Sequence, residues 1–161
     1  VAANDRSEIR KAGVEDATDT AGLLHDFNTE YDDPTPPVPV LAKRIGELLA
    51  DEAIVVLLAG RPPAGLAVLR MKPSLWSQAA DAYLEELYVI PEQRGRGIGK
   101  ALLQRAIDAA REAGADHFEL TTGETDTEAR ALYESFNLTN REGGPNGPRM
   151  LYYELDLEGP S

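Results

Sequence analysis

Residues 94–100, Arg-Gly-Arg-Gly-Ile-Gly-Lys, put three glycines within five positions at the start of a helical pattern. Glycine is about 1 kcal/mol worse than alanine inside a helix, so this concentration implies that something must approach the backbone closely. The segment offers unhindered backbone N–H groups at a helix N-terminus directly after a strand, where the positive end of the helix dipole attracts phosphate. Arg94, Arg96 and Lys100 add positive charge there. Just upstream, the strand "AYLEELYV" carries Glu85 and Glu86 side by side. Period-2 alternation predicts Tyr83, Glu85, Leu87 and Val89 on one face and Leu84, Glu86 and Tyr88 on the other. One of the two carboxylates is then expected to line a site, where partial burial raises its pKa toward the range of a general base. Glu85 is preferred over Glu86; the competing reading gives both to ion pairs or solvent.

Three phosphate-binding patterns compete for the glycine segment. The nucleotide P-loop, G-x-x-x-x-G-K-[ST], fails because Arg94 and Ala101 stand where it needs glycine and a hydroxyl residue. The dinucleotide fingerprint G-x-G-x-x-G lacks its third glycine from either starting point, although Glu119 sits about where its acidic ribose partner would fall. The pattern R-x-x-G-x-G after a strand is satisfied in full by Arg94 to Gly99. A purely structural glycine turn is the remaining alternative.

The stretch "LEELYVIPEQRGRGIGKALL" resembles the acetyl-CoA-binding motif of the GNAT superfamily of N-acetyltransferases, and "DTEARALYESFNL" resembles that family's later helix and tyrosine. The order and spacing of elements from Ile9 to Leu157 agree as well. The resemblance implies a single-domain α/β fold over residues 1–161, with a core of about 8–157 and a mixed, mostly antiparallel sheet flanked by helices on both faces. It implies acetyl-CoA as co-substrate, its pyrophosphate on the amides of Arg94, Gly95, Arg96, Gly97, Ile98, Gly99 and Lys100. The pantetheine arm would pair with the backbone of Leu87, Tyr88 and Val89, which requires a splayed strand. It also implies that Tyr133 protonates the departing thiolate, a task a phenol with a pKa near 10 suits, and that an acidic residue at the Glu85–Glu86 position acts as base. A packing role for Tyr133, on a stripe with Ala129, Leu132 and Phe136, is the alternative. Two departures stand out. Asp126 occupies a position seven residues before the tyrosine where the family often has a cofactor-binding asparagine, and Asn137-Leu138 replaces a common Gly-Phe.

Substrate selectivity is expected from the first helices and their loop. Residues 25–34, "HDFNTEYDDP", set Asp26, Glu30, Asp32 and Asp33 beside Phe27 and Tyr31, and aromatics beside carboxylates suit an amine on a carbon skeleton. A solvated loop is the competing reading. Trp76 either caps the pocket or plugs the core, and His25 reads as a surface or packing residue.

These residues need a frame. The apolar pattern predicts a first strand at 8–13, helices at 15–27 and 40–50 around a proline-rich loop at 28–39, and a hairpin of 53–59 with 64–72. Further strands are expected at 82–90 and 117–122, with the glycine-led helix between them stopping at Gly114. A helix capped by Thr125, with Glu128 reaching back, then runs to Asn137, and "RMLYYELDL" predicts a last strand.

Composition narrows the chemistry. The 161 residues include no cysteine and two histidines, which excludes a thiol nucleophile and a histidine-rich metal site; no metal is expected. The net charge of −12 disfavours nucleic acid and suits a cationic partner. No apolar run approaches the roughly 20 residues of a membrane helix, and no leader pattern is visible, so a cytoplasmic protein without membrane partners is expected. The expected partner is a small-molecule or peptide amine, with a homodimer compatible. The expectation is therefore direct acetyl transfer within a ternary complex. A CoA-binding sensor without turnover and a nucleotide-linked oxidoreductase are the rivals.

Overall fold

Strands in which both alternating sets of residues are apolar must be covered on both sides, and the sheet of this protein is. The computed structural model describes residues 8–159, which form two compact units dividing after Leu120. The first unit holds β1 (Ile9–Lys11), α1 (Ala17–Glu30), α2 (Val38–Ala50), β2 (Val55–Ala59), β3 (Gly65–Pro73), β4 (Ala80–Val89), α3 (Ile98–Glu112) and β5 (Ala115–Leu120). The strands lie in chain order, antiparallel from β1 to β4, with β5 parallel to β4. This is the mixed, mostly antiparallel α/β sheet expected from the sequence.

On one face Val56, Leu58, Leu66, Val68 and Tyr88 join Ala21 and Leu23 of α1 and Ile45 of α2 in a single core. On the other lies α3, whose Ile98, Leu102, Leu103, Ala106 and Ala110 are all buried. Full burial of each leucine contributes about 1.5–3 kcal/mol. The helices therefore flank both faces. At the sheet's start, Arg10 makes a two-pronged ion pair with Asp16 (2.8 and 2.7 Å), and Gly13 N–H donates to the same carboxylate at 2.9 Å. The Arg10 guanidinium holds the Asp16 carboxyl down at about 2, fixing the entry into α1.

Two boundaries differ from expectation in ways that matter below. Helix α1 runs a turn further than Phe27, to Glu30, and shortens the loop to residues 31–37. Helix α2 begins at Val38 with Pro39 in its first turn, where a missing N–H is harmless.

The second unit contains α4 (Thr127–Ser135). Its cap is Asp126, whose carboxylate accepts the Ala129 N–H at 3.2 Å, so the expected Thr125 cap is displaced by one residue. Ala129, Leu132, Tyr133 and Phe136 are half-buried while Glu128, Ala131, Glu134 and Ser135 are exposed, which reproduces the expected stripe. Asn137 ends the helix at φ 64° in the left-handed region. The expected last strand does not form. Residues 150–159 carry no strand, and Tyr152, Tyr153, Leu155 and Leu157 are exposed. Alternation describes which way side chains would point, but a strand exists only where a neighbour completes its hydrogen-bond ladder. Among the described residues, no helix is long and apolar enough to cross a membrane.

Gly65 lets α3 press against the sheet. A Cβ there would lie 2.8 Å from the Tyr88 carbonyl oxygen and 3.1 Å from Leu102 Cδ1. The carbonyl belongs to the β3–β4 ladder and cannot retreat. Gly65→Ala is therefore expected to cost about 1–3 kcal/mol, read as a lower urea midpoint with an unchanged m-value.

Candidate active site

The pairing of β3 with β4 carries one irregularity, and it falls on the two carboxylates. Arg70 is opposite Tyr83 and Leu69 opposite Leu84, but Val68 is opposite Glu86. Glu85 is an extra residue, a β-bulge. Directly opposed residues share a face, so Val68, Arg70, Tyr83 and Glu86 lie on the same side, toward α1 and α2. The extra residue, Glu85, bonds to Arg70 Nε. The alternation predicted from sequence, which sent Glu85 and Glu86 to opposite faces, is thus corrected: the bulge resets the period and turns both toward the same region.

Their environments differ. Glu85 is ion-paired to Arg70, which sequence reasoning had no motif to flag. Glu86 is half-buried, and burial, the neighbouring Glu85 charge and Asp33 together push its carboxyl up to about 7. Glu85 is thus held in an ion pair, whereas the Glu86 carboxyl is raised to the range where proton transfer at neutral pH is efficient.

Strand β4 also outruns its neighbour. The ladder to β5 ends at Leu84 opposite Leu120, while on the other side β4 stays paired to β3 through Val89 opposite Gly65. The backbone of Leu87, Tyr88 and Val89 thus runs on past the end of β5, which stops at Leu120.

From Val89 the chain passes through a short 3₁₀ turn, Pro91–Gln93, into the glycine segment. Gly95 and Gly97 have φ of 76° and 82°, a conformation that L side chains adopt only under strain. Gly97 is the residue preceding α3, with no side chain capping the helix, so its first N–H groups rely on other partners. A Cβ built at Gly95 or Gly97 would meet nothing within 4 Å. The turn needs these glycines for its backbone, and the space before the amides is open. Gly99 lies inside the first helical turn without a positive φ. Arg96 and Lys100 are exposed; Ile98 is buried and anchors the helix. A group with phosphate chemistry fits this cradle.

Arg94 behaves differently from expectation. Its Nε donates to the Val89 carbonyl (3.0 Å), its Nη2 to Glu30 Oε1 (2.8 Å), and its guanidinium lies 5.6 Å from the centre of the Tyr88 ring. Tyr88 donates its hydroxyl to the same Glu30 oxygen at 3.1 Å, and burial with the Glu30 contact pushes the phenol up to about 12. Phe27 packs edge-on against Tyr88 and touches Tyr31, at ring-centre distances of 4.8 and 5.3 Å. Of the residues expected to select substrate, Phe27 and Tyr31 thus gather at the end of α1, with Asp26 exposed beside them. Trp76 is 91% exposed in the β3–β4 loop, which excludes the core-plug reading. Tyr133 and Asp126 belong to the second unit, and the Asp126 carboxylate is engaged in capping α4.

Comparison with known proteins now decides the family. The sequence model of the acetyltransferase (GNAT) family matches residues 20–137. The chain belongs to the GNAT family. A solved protein from Arthrobacter sp. FB24, described as an acetyltransferase, is 46% identical and superposes with a TM-score of 0.86, covering 94% of this chain and 96% of that one. Mycothiol acetyltransferase from Beutenbergia cavernae is 42% identical over 69 residues, 41% of this chain and 23% of that protein. Thialysine N-epsilon-acetyltransferase from Sus scrofa is 34% identical over 73 residues, 44% of this chain and 42% of that protein. The matches span half or less of these curated relatives. The family is one of acetyl-transferring enzymes.

The raised Glu86 pKa makes a prediction independent of turnover. A folded-state pKa above the unfolded value means that stability falls as pH rises from about 4.5 to 7, where the unfolded chain ionises first. Glu86→Gln should therefore stabilise the protein at pH 8, by on the order of 1–3 kcal/mol, and bring no such gain at pH 4. Urea denaturation at the two pH values measures it.

Proposed function

We propose that this protein is a single-domain, acetyl-CoA-dependent N-acetyltransferase that acetylates a primary amine by direct attack within a ternary complex. The observation that carries the reading is the course of β4. It runs past the end of β5 after Leu84, leaving a strand edge along Leu87–Val89 on which the Val89 carbonyl accepts from Arg94, and leads into the glycine segment at the N-terminus of α3. A pantetheine arm carries amides that can pair with such an edge, and a pyrophosphate suits the amides and the charges of Arg96 and Lys100. When bound, acetyl-CoA supplies the activated thioester carbonyl. Glu86, half-buried and titrating near 7, takes the proton of the incoming amine directly or through water. Tyr133 returns a proton to the departing sulfur. Atoms balance: the amine nitrogen gains the acetyl carbon, the carbon–sulfur bond breaks, and CoA leaves as thiol.

The acceptor side is acidic, with Glu85, Glu86 and Asp33 close enough to act on one another electrostatically, and the chain's net charge is −12. Both features favour a cationic amine over a neutral or anionic one. Relatives named for thialysine and for streptothricin support an amine-bearing small molecule, and one named for ribosomal protein bS18 alanine supports a peptide amine. A cytoplasmic setting belongs to the same proposal, with a homodimer compatible. The deciding experiment is an amine-panel assay reading CoA thiol release, run beside thermal shifts. Acetyl-CoA at 100 times its Kd should add about 2.7 kcal/mol of stability, whereas NAD(H) and ATP should add little. A larger shift with NAD(H) would overturn the assignment, and CoA binding without turnover of any amine would leave a sensor module.

Tyr133→Phe separates chemistry from packing. The half-buried stripe with Ala129, Leu132 and Phe136 keeps its ring in place, so CoA affinity should change little. A general acid contributes 10²–10⁴-fold, and single-turnover acetylation should slow by about that factor. Near-wild-type single-turnover rates would remove Tyr133 from the mechanism.

A further inference from the structure

We infer that Glu30 and Arg94 form a latch that positions the phosphate loop and the end of α1 together, so that Glu30 is a positioning residue for both substrates. Arg94 is the first residue of the phosphate pattern, and its type suggests a cation waiting for a phosphate. Its geometry says otherwise. The guanidinium is turned back over Tyr88 and held by the Val89 carbonyl (3.0 Å) and by Glu30 Oε1 (2.8 Å). The Glu30 side chain is only 26% exposed and accepts a second bond from the nearly buried Tyr88 hydroxyl. Pulling Arg94 away to a phosphate would leave that carboxylate beside a buried phenol with one partner fewer, an arrangement that carries a desolvation cost. Arg94 is therefore a strut, and the positive charge offered to phosphate comes from the amides, Arg96 and Lys100.

A strut is what this loop requires. Gly95 and Gly97 are the least restrained residue type in the conformation least common for any other. Their amides must nevertheless converge on a single ligand, and freedom left in the free state is lost on binding. Fixing Arg94 to both the end of β4 and α1 pins the loop at its first residue. The same bond pins α1 at its last residue, Glu30, where the acceptor loop 31–37 departs. Phe27, between Tyr31 and Tyr88, packs the joint from the apolar side. One ion pair thus ties the loop that takes the donor to the loop expected to select the acceptor.

The inference rests on the N-acetyltransferase reading for its ligands but not for its geometry, and its test keeps the two apart. Wild type, Glu30→Ala, Arg94→Ala and the double variant are titrated with CoA by calorimetry and unfolded in urea without ligand. The latch predicts that either single change weakens CoA binding about tenfold and that the double variant is no weaker than the singles. Glu30→Gln, which keeps an oxygen for Arg94 and Tyr88, should fall between wild type and Glu30→Ala. With the best amine, Glu30→Ala should also raise the acceptor KM while kcat changes less. Equal loss from Arg94→Ala with and without Glu30, or tighter CoA binding by Glu30→Ala, would make Arg94 a direct phosphate ligand and overturn the latch. Wild type that binds no CoA would overturn the function instead. In that case the urea cycle still reads the latch, and additive effects of the two changes there would sink it. Should an alanine variant not fold, the Glu30→Gln and Arg94→Gln pair supplies the same cycle.

Discussion

The single extra residue in β4 governs the geometry of this protein's chemistry, because a β-strand has no other way to turn two consecutive side chains toward one region. Glu85 takes the bulge, bonds Arg70, and brings Glu86 round to share the side of Val68 and Tyr83. Bulges also bend and twist the strand that carries them. Here the ladder to β5 ends one residue before the bulge, at Leu84 opposite Leu120, while pairing to β3 continues to Val89. The irregularity and the end of the β5 ladder are neighbours on the strand. Together they bring a raised-pKa carboxylate and the stretch of β4 beyond β5 within five residues of one another.

Electrostatics sets a conflict between the chain's charge and the proposed donor. Under the proposed function a chain of net charge −12 receives a ligand bearing phosphates. Glu85 and Asp33, from the bulge and the loop after α1, add to burial in raising Glu86 and favour a cation there. The anion cradle instead relies on backbone amides, whose partial charges are independent of side-chain composition, with Arg96 and Lys100 exposed alongside. Arg94 bridges the two regions, its charge neutralised by Glu30. The buried face under α3, held by Leu102, Leu103 and Ala106 without a gap at Gly65, keeps the amide-bearing helix end fixed against the strand that bears Glu86.

Much of this was legible beforehand. The five strands of the first unit, the four helices, the φ > 0 stops at Gly114 and Asn137, and the phosphate pattern all follow from periodicity and turn chemistry, which are local properties. The cap of α4 and the extent of α1 were misjudged by one to three residues, because neighbouring oxygens compete for the same N–H groups and because the last turn of α1 is held by Tyr88 and Arg94 rather than by its own propensity. The alternating segment after Arg149 looked like a strand on the same local grounds and is not one.

The residue types needed for the chemistry, their order along the chain and the glycines that open the amides were determined by the sequence alone, since helix starts and positive-φ turns are encoded in a few adjacent residues. Tertiary structure decided which carboxylate is raised by burial and which is held by Arg70, how far β4 runs beyond β5, and that Arg94 turns back to Glu30. Those outcomes depend on register, burial and partners contributed by segments up to 64 residues away. A one-residue offset in pairing, invisible to any local pattern, changes which groups face each other and therefore how strongly each holds its proton.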